Sequence, residues 1–263
     1  MLRRVGLAAA LAWIGLVAGA GAQTLFDLAP VLAPTGMLRA AINLGNPVLA
    51  QPGQDGPKGV SVDLAREFAR RLGREVKLVV YDGAGRVTDA AGANQWDIAF
   101  LAIDPVRGRE IDYTAPYVVI EGAYLVPDGS ALRQGQEVDR PGIRVGVSGK
   151  SAYDLFLTRE LKAATLVRFG SAQEALEALR AGTLDVLAGV RQQVEGFAAA
   201  SPGMRLLPGR FMAIEQALAV PKGREAALPA LKAFVEDAKA SGFVAKGLSE
   251  SGQSADLVAP PAR

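Results

Sequence analysis

Apolar residues recur along this chain in two alternating rhythms. Residues 61–72, "SVDLAREFARRL", set Leu64, Phe68 and Leu72 four apart with Ala65 and Ala69 beside them. That stripe predicts an amphipathic helix stopped by Gly73. Short apolar runs of strand length flank it. Leu38 to Ile42 follows the turn residues Pro34-Thr35-Gly36, "EVKLVVY" covers 75–81, and "WDIAFLAI" covers 96–103 as a buried strand. A loop rich in Gly and Pro, 51–59, separates the first strand from the helix.

The second half repeats the alternation. Strands are expected at 143–148, 165–169 and 183–189, with helices over 151–163, from Ser171 to Arg180, and from the third strand to Ala200. Ser171 and Glu174 form a capping box, and Ala172, Ala175, Leu176 and Leu179 make the apolar face behind it. A strand at 215–221 and a helix over 226–240, with Leu231, Phe234, Val235 and Ala238 inward, close the pattern. The tail "SADLVAPPAR" is expected to be loosely held. Strands alternating with helices predict α/β architecture with mostly parallel sheets. Two such runs, parted by residues 126–142, predict two lobes, and the last strand and helix must return to one of them. No low-complexity segment and no short repeat is visible.

The N-terminus changes the charge picture. Arg3 and Arg4 precede an apolar run from Val5 to Val17, and Ala20-Gly21-Ala22 offers the small residues of a cleavage site. Residues 1–22 are therefore read as a secretory signal peptide cut near Ala22. Its removal takes Lys plus Arg from 29 to 27, equal to Asp plus Glu at 27, so the mature chain is near neutral. Arg66, Arg70, Arg71, Arg74 and Lys77 cluster on the solvated side of one helix, and no nucleic-acid partner is expected. An export signal on a chain with no cysteine fits the periplasm.

The chain also has no histidine. Without His or Cys, Ser-His-Asp and Cys-His nucleophile systems are excluded, as are zinc, haem and iron–sulfur sites that need those ligands. No cofactor, metal site or catalytic residue is expected.

"VGVSGKSAYD", residues 145–154, has the Gly-Lys-Ser of a nucleotide-binding loop. A phosphate loop needs a Gly five residues before Gly149, where Arg144 stands, and Gly146 is too close. A triphosphate site is rejected. Two readings stay open for Gly149, Lys150 and Ser151. They form either a turn, a solvated cation and a helix cap, or an anion site at the helix start.

"WDIAFLAIDPVRGREIDYTAPYVVIEGAYLV", residues 96–126, resembles a hallmark of bacterial extracellular solute-binding proteins of the amino-acid type, family 3. The matching features are Asp104-Pro105-Val106-Arg107 after an apolar strand, then Asp112-Tyr113-Thr114-Ala115-Pro116-Tyr117. "GVSVDLAREFARRLG", "IRVGVSGKSAYDLFL", "SAQEALEALRAGTLDVLAG" and "QALAVPKG" follow the family order over about residues 36–248. The resemblance implies a two-lobe periplasmic-binding-protein (Venus flytrap) fold with two hinge strands. Lobe 1 would hold 23–123 plus 217–263 and lobe 2 would hold 124–216, with hinges near 122–127 and 215–220. It also implies a monomer that delivers a small carboxylate-bearing ligand to an inner-membrane ABC permease and ATPase.

The resemblance assigns the ligand's carboxylate to Arg107, whose planar donor fork suits it, and to the hydroxyl and N–H of Ser151 across the cleft. Gly149, Lys150 and Ala102 join them at the strand ends. Three positions depart from the family pattern. Ala99 to Ala102 replace hydroxyl and Gly residues, no acid stands near Val190 to pair an ammonium, and "NPVLA" (46–50) replaces an aromatic. A small organic anion or modified amino acid is therefore expected, with a second carboxylate on Arg191. Glu121, beside a hinge, keeps an ordinary amino acid open as an ammonium partner. Two other functions are carried alongside: a periplasmic dehydratase of the prephenate or arogenate type on the same scaffold, with Glu121, Glu215 and Asp104 as acid–base candidates, and a receptor presenting its ligand to a sensor.

Overall fold

The structure, a computed structural model, describes residues 25–263, and the leader expected over 1–22 lies outside the described residues. A helical turn at Leu25–Leu28 leads into α1 (Ala29–Leu32), β1 (Leu38–Asn43), α2 (Val60–Leu72), β2 (Val76–Tyr81), α3 (Ala84–Asp89), β3 (Ile98–Ala102) and β4 (Ile111–Pro127). Next come β5 (Arg144–Ser148), α4 (Ala152–Glu160), β6 (Thr165–Phe169), α5 (Ala172–Arg180), β7 (Val186–Val190), α6 (Arg191–Ala200) and β8 (Met204–Leu206). The chain ends with β9 (Met212–Pro221), α7 (Leu228–Ala240) and α8 (Phe243–Glu250).

The strands lie side by side in the order β2-β1-β3-β9-β4-β7-β5-β6, with β8 also on β4. β1 runs parallel to β2 and β3, and β5 runs parallel to β6 and β7. Each parallel group is the sheet of one lobe. β9 and β4 are antiparallel to their neighbours and to each other, and they run between the groups. β4 pairs with β9 from Ile111↔Pro221 to Gly122↔Met212, then goes on to pair with β7 and β8. The result is the two-lobe α/β fold expected from the sequence.

Local rules explain the elements. Gly73 takes a left-handed φ of 66°, which lets Arg74 N–H reach Ala69 O and closes α2. Ser171 accepts the Glu174 N–H at the start of α5, one half of the expected capping box, while the Glu174 carboxylate accepts from the Gly170 N–H one residue earlier than the box requires. β3 and β7 are buried along their whole length. They are the middle strands of their lobes, covered on both faces, so they read as continuous apolar runs rather than alternating ones. On one face of lobe 1, Phe68 of α2 meets Phe234 of α7 edge-on at 4.9 Å. Full burial of a side chain this size stabilises by about 1.5–3 kcal/mol. On the other face Ala41, Val87, Trp96 and Leu101 form a separate cluster.

The tail corrects its expectation. Val258 bridges to Val118 of β4, Ala259 is buried and donates its N–H to Tyr117 O, and Lys239 Nζ donates to Pro260 O. Docking on β4 and α7 supplies partners that composition alone did not reveal. No helix among the described residues is long and apolar enough to cross a membrane.

Candidate functional site

The carboxyl ends of β1, β3, β5 and β7 converge between the lobes, the place where open α/β sheets take their ligands. A cavity there leaves about 50 Å³ open to the centre of a water molecule, several times the ~10–15 Å³ that one water needs. From lobe 1 it is walled by Asn43, Asn46, Ala102 and Arg107, and from lobe 2 by Ser148, Gly149, Ser151 and Tyr153. Ile214 and Gln216, two apart on β9 and so on one face of that strand, complete it.

Arg107 follows a turn that Asp104 builds by accepting the Val106 N–H at 2.8 Å. Its guanidinium lies across the end of β3, where Nη1 donates to Ala102 O at 3.1 Å. Nη2 crosses to the other lobe and donates to Lys150 O at 2.9 Å, while Nε is buried without a partner among the described residues. The residue is 2% exposed. Burial pulls its guanidinium below the ordinary arginine value, with Tyr113 and Asp104 acting the other way. Asp104 makes its own ion pair with Arg159 across the cleft at 3.0 Å. A cation is thus withdrawn from water with carbonyls alone for partners.

The loop after β5 is organised differently from the expectation. Ser151 caps α4 by accepting the Asp154 N–H at 3.0 Å. The amides of all three candidate residues are already engaged: Gly149 N–H with Phe169 O, Lys150 N–H with Asp154 Oδ2, and Ser151 N–H with Ser148 O. The Ser151 N–H is therefore not free for a ligand, and the first-turn donors left over belong to Ala152 and Tyr153, both on the cavity wall. The buried Tyr153 hydroxyl sits beside Ser148 and Ser151, and burial pushes its pKa up.

Lys150 is a bridge between lobes and is not on the wall of this cavity. Its φ of 57° is left-handed, a conformation rare outside glycine. That turn aims its carbonyl at Arg107, while its Nζ pairs with Asp89 of α3 at 2.7 Å. Gly85 permits this approach, since a Cβ there would lie 2.6 Å from Lys150 Cβ.

Arg191 and Glu121 are not among the cavity residues; they bind one another. Arg191 Nε donates to Glu121 Oε2 at 2.7 Å and Arg191 Nη2 donates to Gly209 O, while Arg210 takes the other Glu121 oxygen at 3.0 Å. Burial pushes the Glu121 carboxyl up, but the hydrogen bonds from Arg191 and Arg210 outweigh it and hold it below its ordinary value. Arg107, Ala102, Gly149 and Ser151 are thus brought together, whereas Lys150, Arg191 and Glu121 are spent elsewhere. Sequence reasoning does not single out Asn43, Asn46, Tyr153 or Gln216. The signal available for the first two is "NLGNP", a pair of amides in a Gly/Pro turn directly after a strand.

Comparison with known proteins bears on the family and the fold. The sequence model of bacterial extracellular solute-binding proteins, family 3, matches residues 38–250. A mutant of ArgBP from T. maritima superposes with a TM-score of 0.72 at 21% identity, covering 87% of this chain and 99% of its own. A binding component of an ABC transporter from Wolinella succinogenes, complexed with lysine, gives 0.70 at 22% identity over 82% of this chain and 94% of its own. An ancestral amino-acid-binding protein described as a precursor of cyclohexadienyl dehydratase gives 0.70 at 21% identity over 84% and 96%. No curated protein sequence matches.

Proposed function

The chain belongs to the bacterial extracellular solute-binding proteins of family 3, and from that premise we propose that it captures a small carboxylate-bearing solute, an amino acid or related organic acid, between its lobes for an ABC importer. Arg107 carries this reading. It is a buried guanidinium on a cavity wall, hydrogen-bonded only to carbonyls, while the nearby Asp104 is committed to Arg159. A charge withdrawn from water costs several kcal/mol unless paired, and a ligand carboxylate is the counter-ion that fits a fork of N–H donors. The Ala152 and Tyr153 amides lie across the cavity from it and add donors from the second lobe.

A ligand held from both sides shifts the lobes toward closure by its differential affinity for the closed form. Lobe 1 is taken as 23–123 plus 217–263 and lobe 2 as 124–216, with β4 and β9 as the hinge strands, and their antiparallel pairing from Ile111↔Pro221 to Gly122↔Met212 supports that division. The leader expected from the sequence and the family together support a periplasmic location. Binding is favoured over turnover because the acid–base candidates lie off the cavity, Glu121 with Arg191, Asp104 with Arg159, and Glu215 exposed on the face of β9 opposite Ile214 and Gln216. Titration of the full chain with a panel of amino and organic acids, read by thermal shift, tests this. A ligand at a hundred times its Kd stabilises by about 2.7 kcal/mol. Arg107→Ala should weaken the best ligand by about 30-fold or more, the loss of a buried charge partner. An affinity changed by less than about twofold would remove Arg107 from the site, since that is under ~0.5 kcal/mol.

A further inference from the structure

The cavity is unequal in what it offers. Asn43 Oδ1 accepts the Gly45 N–H at 3.0 Å, and Asn46 Oδ1 accepts the Val48 N–H at 3.2 Å. Each amide oxygen is turned to its own loop and already accepts one bond there, while the NH₂ end keeps both donors to spare. Arg107 presents donors only, and so do the first-turn amides of Ala152 and Tyr153. The carbonyl at the end of β3, Ala102 O, is already taken by Arg107. Among the described residues no Asp or Glu lines the cavity. Nearby acids are committed: Asp104 to Arg159, Asp154 to Arg168, and Glu121 to Arg191 and Arg210.

An ammonium carries three donors and no acceptor. Placed here it would meet a guanidinium, two amide NH₂ groups and backbone N–H groups, with only the neutral oxygens of Ser148, Ser151 and Gln216 as side-chain acceptors, and it would add a second uncompensated cation to a closed space. A hydroxyl or a carbonyl oxygen accepts from those same groups. With Arg191 held by Glu121 and Gly209 O, the cavity also has no second guanidinium for a second carboxylate.

We infer that the ligand class is a monocarboxylate with a neutral, hydrogen-bond-accepting neighbour, a hydroxy or oxo acid, in place of a free ammonium. This rests on the carboxylate reading of Arg107 and narrows it. The neutral groups Ser148, Ser151 and Gln216 complete the wall, so selection comes from the excess of donors over acceptors rather than from charge repulsion alone.

The test uses the full chain and matched pairs that differ only in hydroxyl against ammonium: lactate with alanine, 2-hydroxyisovalerate with valine, phenyllactate with phenylalanine, and malate with aspartate. Calorimetry and thermal shift are run on each. At least one monocarboxylate hydroxy acid is expected to bind about tenfold or more tightly than its amino partner, equivalent to ~1.4 kcal/mol, and the malate pair is expected to bind worst. An amino acid that equals or beats its hydroxy partner overturns the inference while leaving the carboxylate reading standing. Malate as the tightest ligand overturns the single-carboxylate part. If no member of any pair binds, the carboxylate reading falls, and this inference with it.

Discussion

The two lobes carry the same clip at the same place and bury it to different depths. In lobe 1, Asp97, directly before β3, accepts the Arg39 N–H and Nε on Oδ2 and its Nη2 on Oδ1, and donates its own N–H back to Arg39 O. In lobe 2, Asp185, directly before β7, does the same with Arg144. Asp97 is 0% exposed and takes a second guanidinium, Arg224, at 2.9 Å. The Asp185 side chain is 33% exposed and Arg144 42%; Arg144 Nη2 also donates to Gly182 O, but no second guanidinium reaches Asp185 among the described residues. The neighbouring packing differs in step. Lobe 1 has Ala41 and Trp96 where lobe 2 has Gly146 and Leu184, and a Cβ on Gly146 would lie 2.3 Å from Leu184 Cδ1. One architectural device thus becomes a core feature where the C-terminal segment closes over it, and a surface pair where nothing does.

The comparison is broken most sharply at Asp97. Asp97→Asn leaves two guanidiniums facing a neutral amide and should cost about 3–5 kcal/mol in denaturant unfolding. Gly146→Ala forces Leu184 to move inside a packed sheet and should cost about 1–3 kcal/mol. Ala41→Gly, the mirror exchange in lobe 1, meets no clash and should cost less, about 1 kcal/mol. Asp185→Asn should cost about 1 kcal/mol or less, because solvent already screens the pair. A similar loss at Asp97 and Asp185 would show that burial does not separate the two clips.

Acid should tell the clips apart as well. Burial pushes the Asp97 carboxyl up, but hydrogen bonds from Arg39 and Arg224 outweigh it and leave it below the ordinary value. A carboxyl depressed in the folded state contributes stability in full above its unfolded pKa, about 3.9, and loses it as pH falls through the folded value. Asp185 is likewise lowered, first by its hydrogen bond from Arg144. Stability measured downward from pH 5 should therefore fall less steeply in Asp97→Asn than in the unaltered chain, with a smaller flattening in Asp185→Asn. Glu67, hydrogen-bonded by Arg70 and Arg71 and lowered to about 2, gives a control whose contribution fades between about 4.5 and 2. The smallest effect is expected at the exposed Lys150–Asp89 bridge. Asp89→Asn should change ligand affinity by no more than about fivefold, less at high salt.

Much of the architecture is legible in the sequence because periodicity reports burial directly. The stripe at Leu64, Phe68 and Leu72 places α2 to within a residue at its start, the run at 96–103 contains β3, and the run at 183–189 covers all of β7 but Val190. Of β4 the periodicity marks nothing, and only its hinge segment near 122–127 is implied by the resemblance. Pro116 and Gly122 interrupt it, its pairing with β9 slips on either side of Pro116, and its neighbours change along its length. α3, of six residues, and α8, set off by Gly242 in a left-handed turn, are short pieces whose order comes from tertiary contacts. The repeated clip leaves no sequence signature, because only one Arg and one Asp per lobe recur while the residues round them differ. At the site, charge and motif point to Arg107 and Ser151. Neutral amides such as Asn46 and Gln216 have no such mark until the chain folds them against one space.

The path of β9 has a bearing on how the molecule is made. β3 lies between β1 and β9, so from residue 102 until residues 216–219 have been synthesised one edge of the first sheet is bare. The strands β4 to β8, by contrast, are neighbours of one another and all precede β9 in the chain. The lobe that begins first is therefore the one completed last, and a chain ended at Arg210 would retain every pairing among β4 to β8 while leaving β3 without its antiparallel partner.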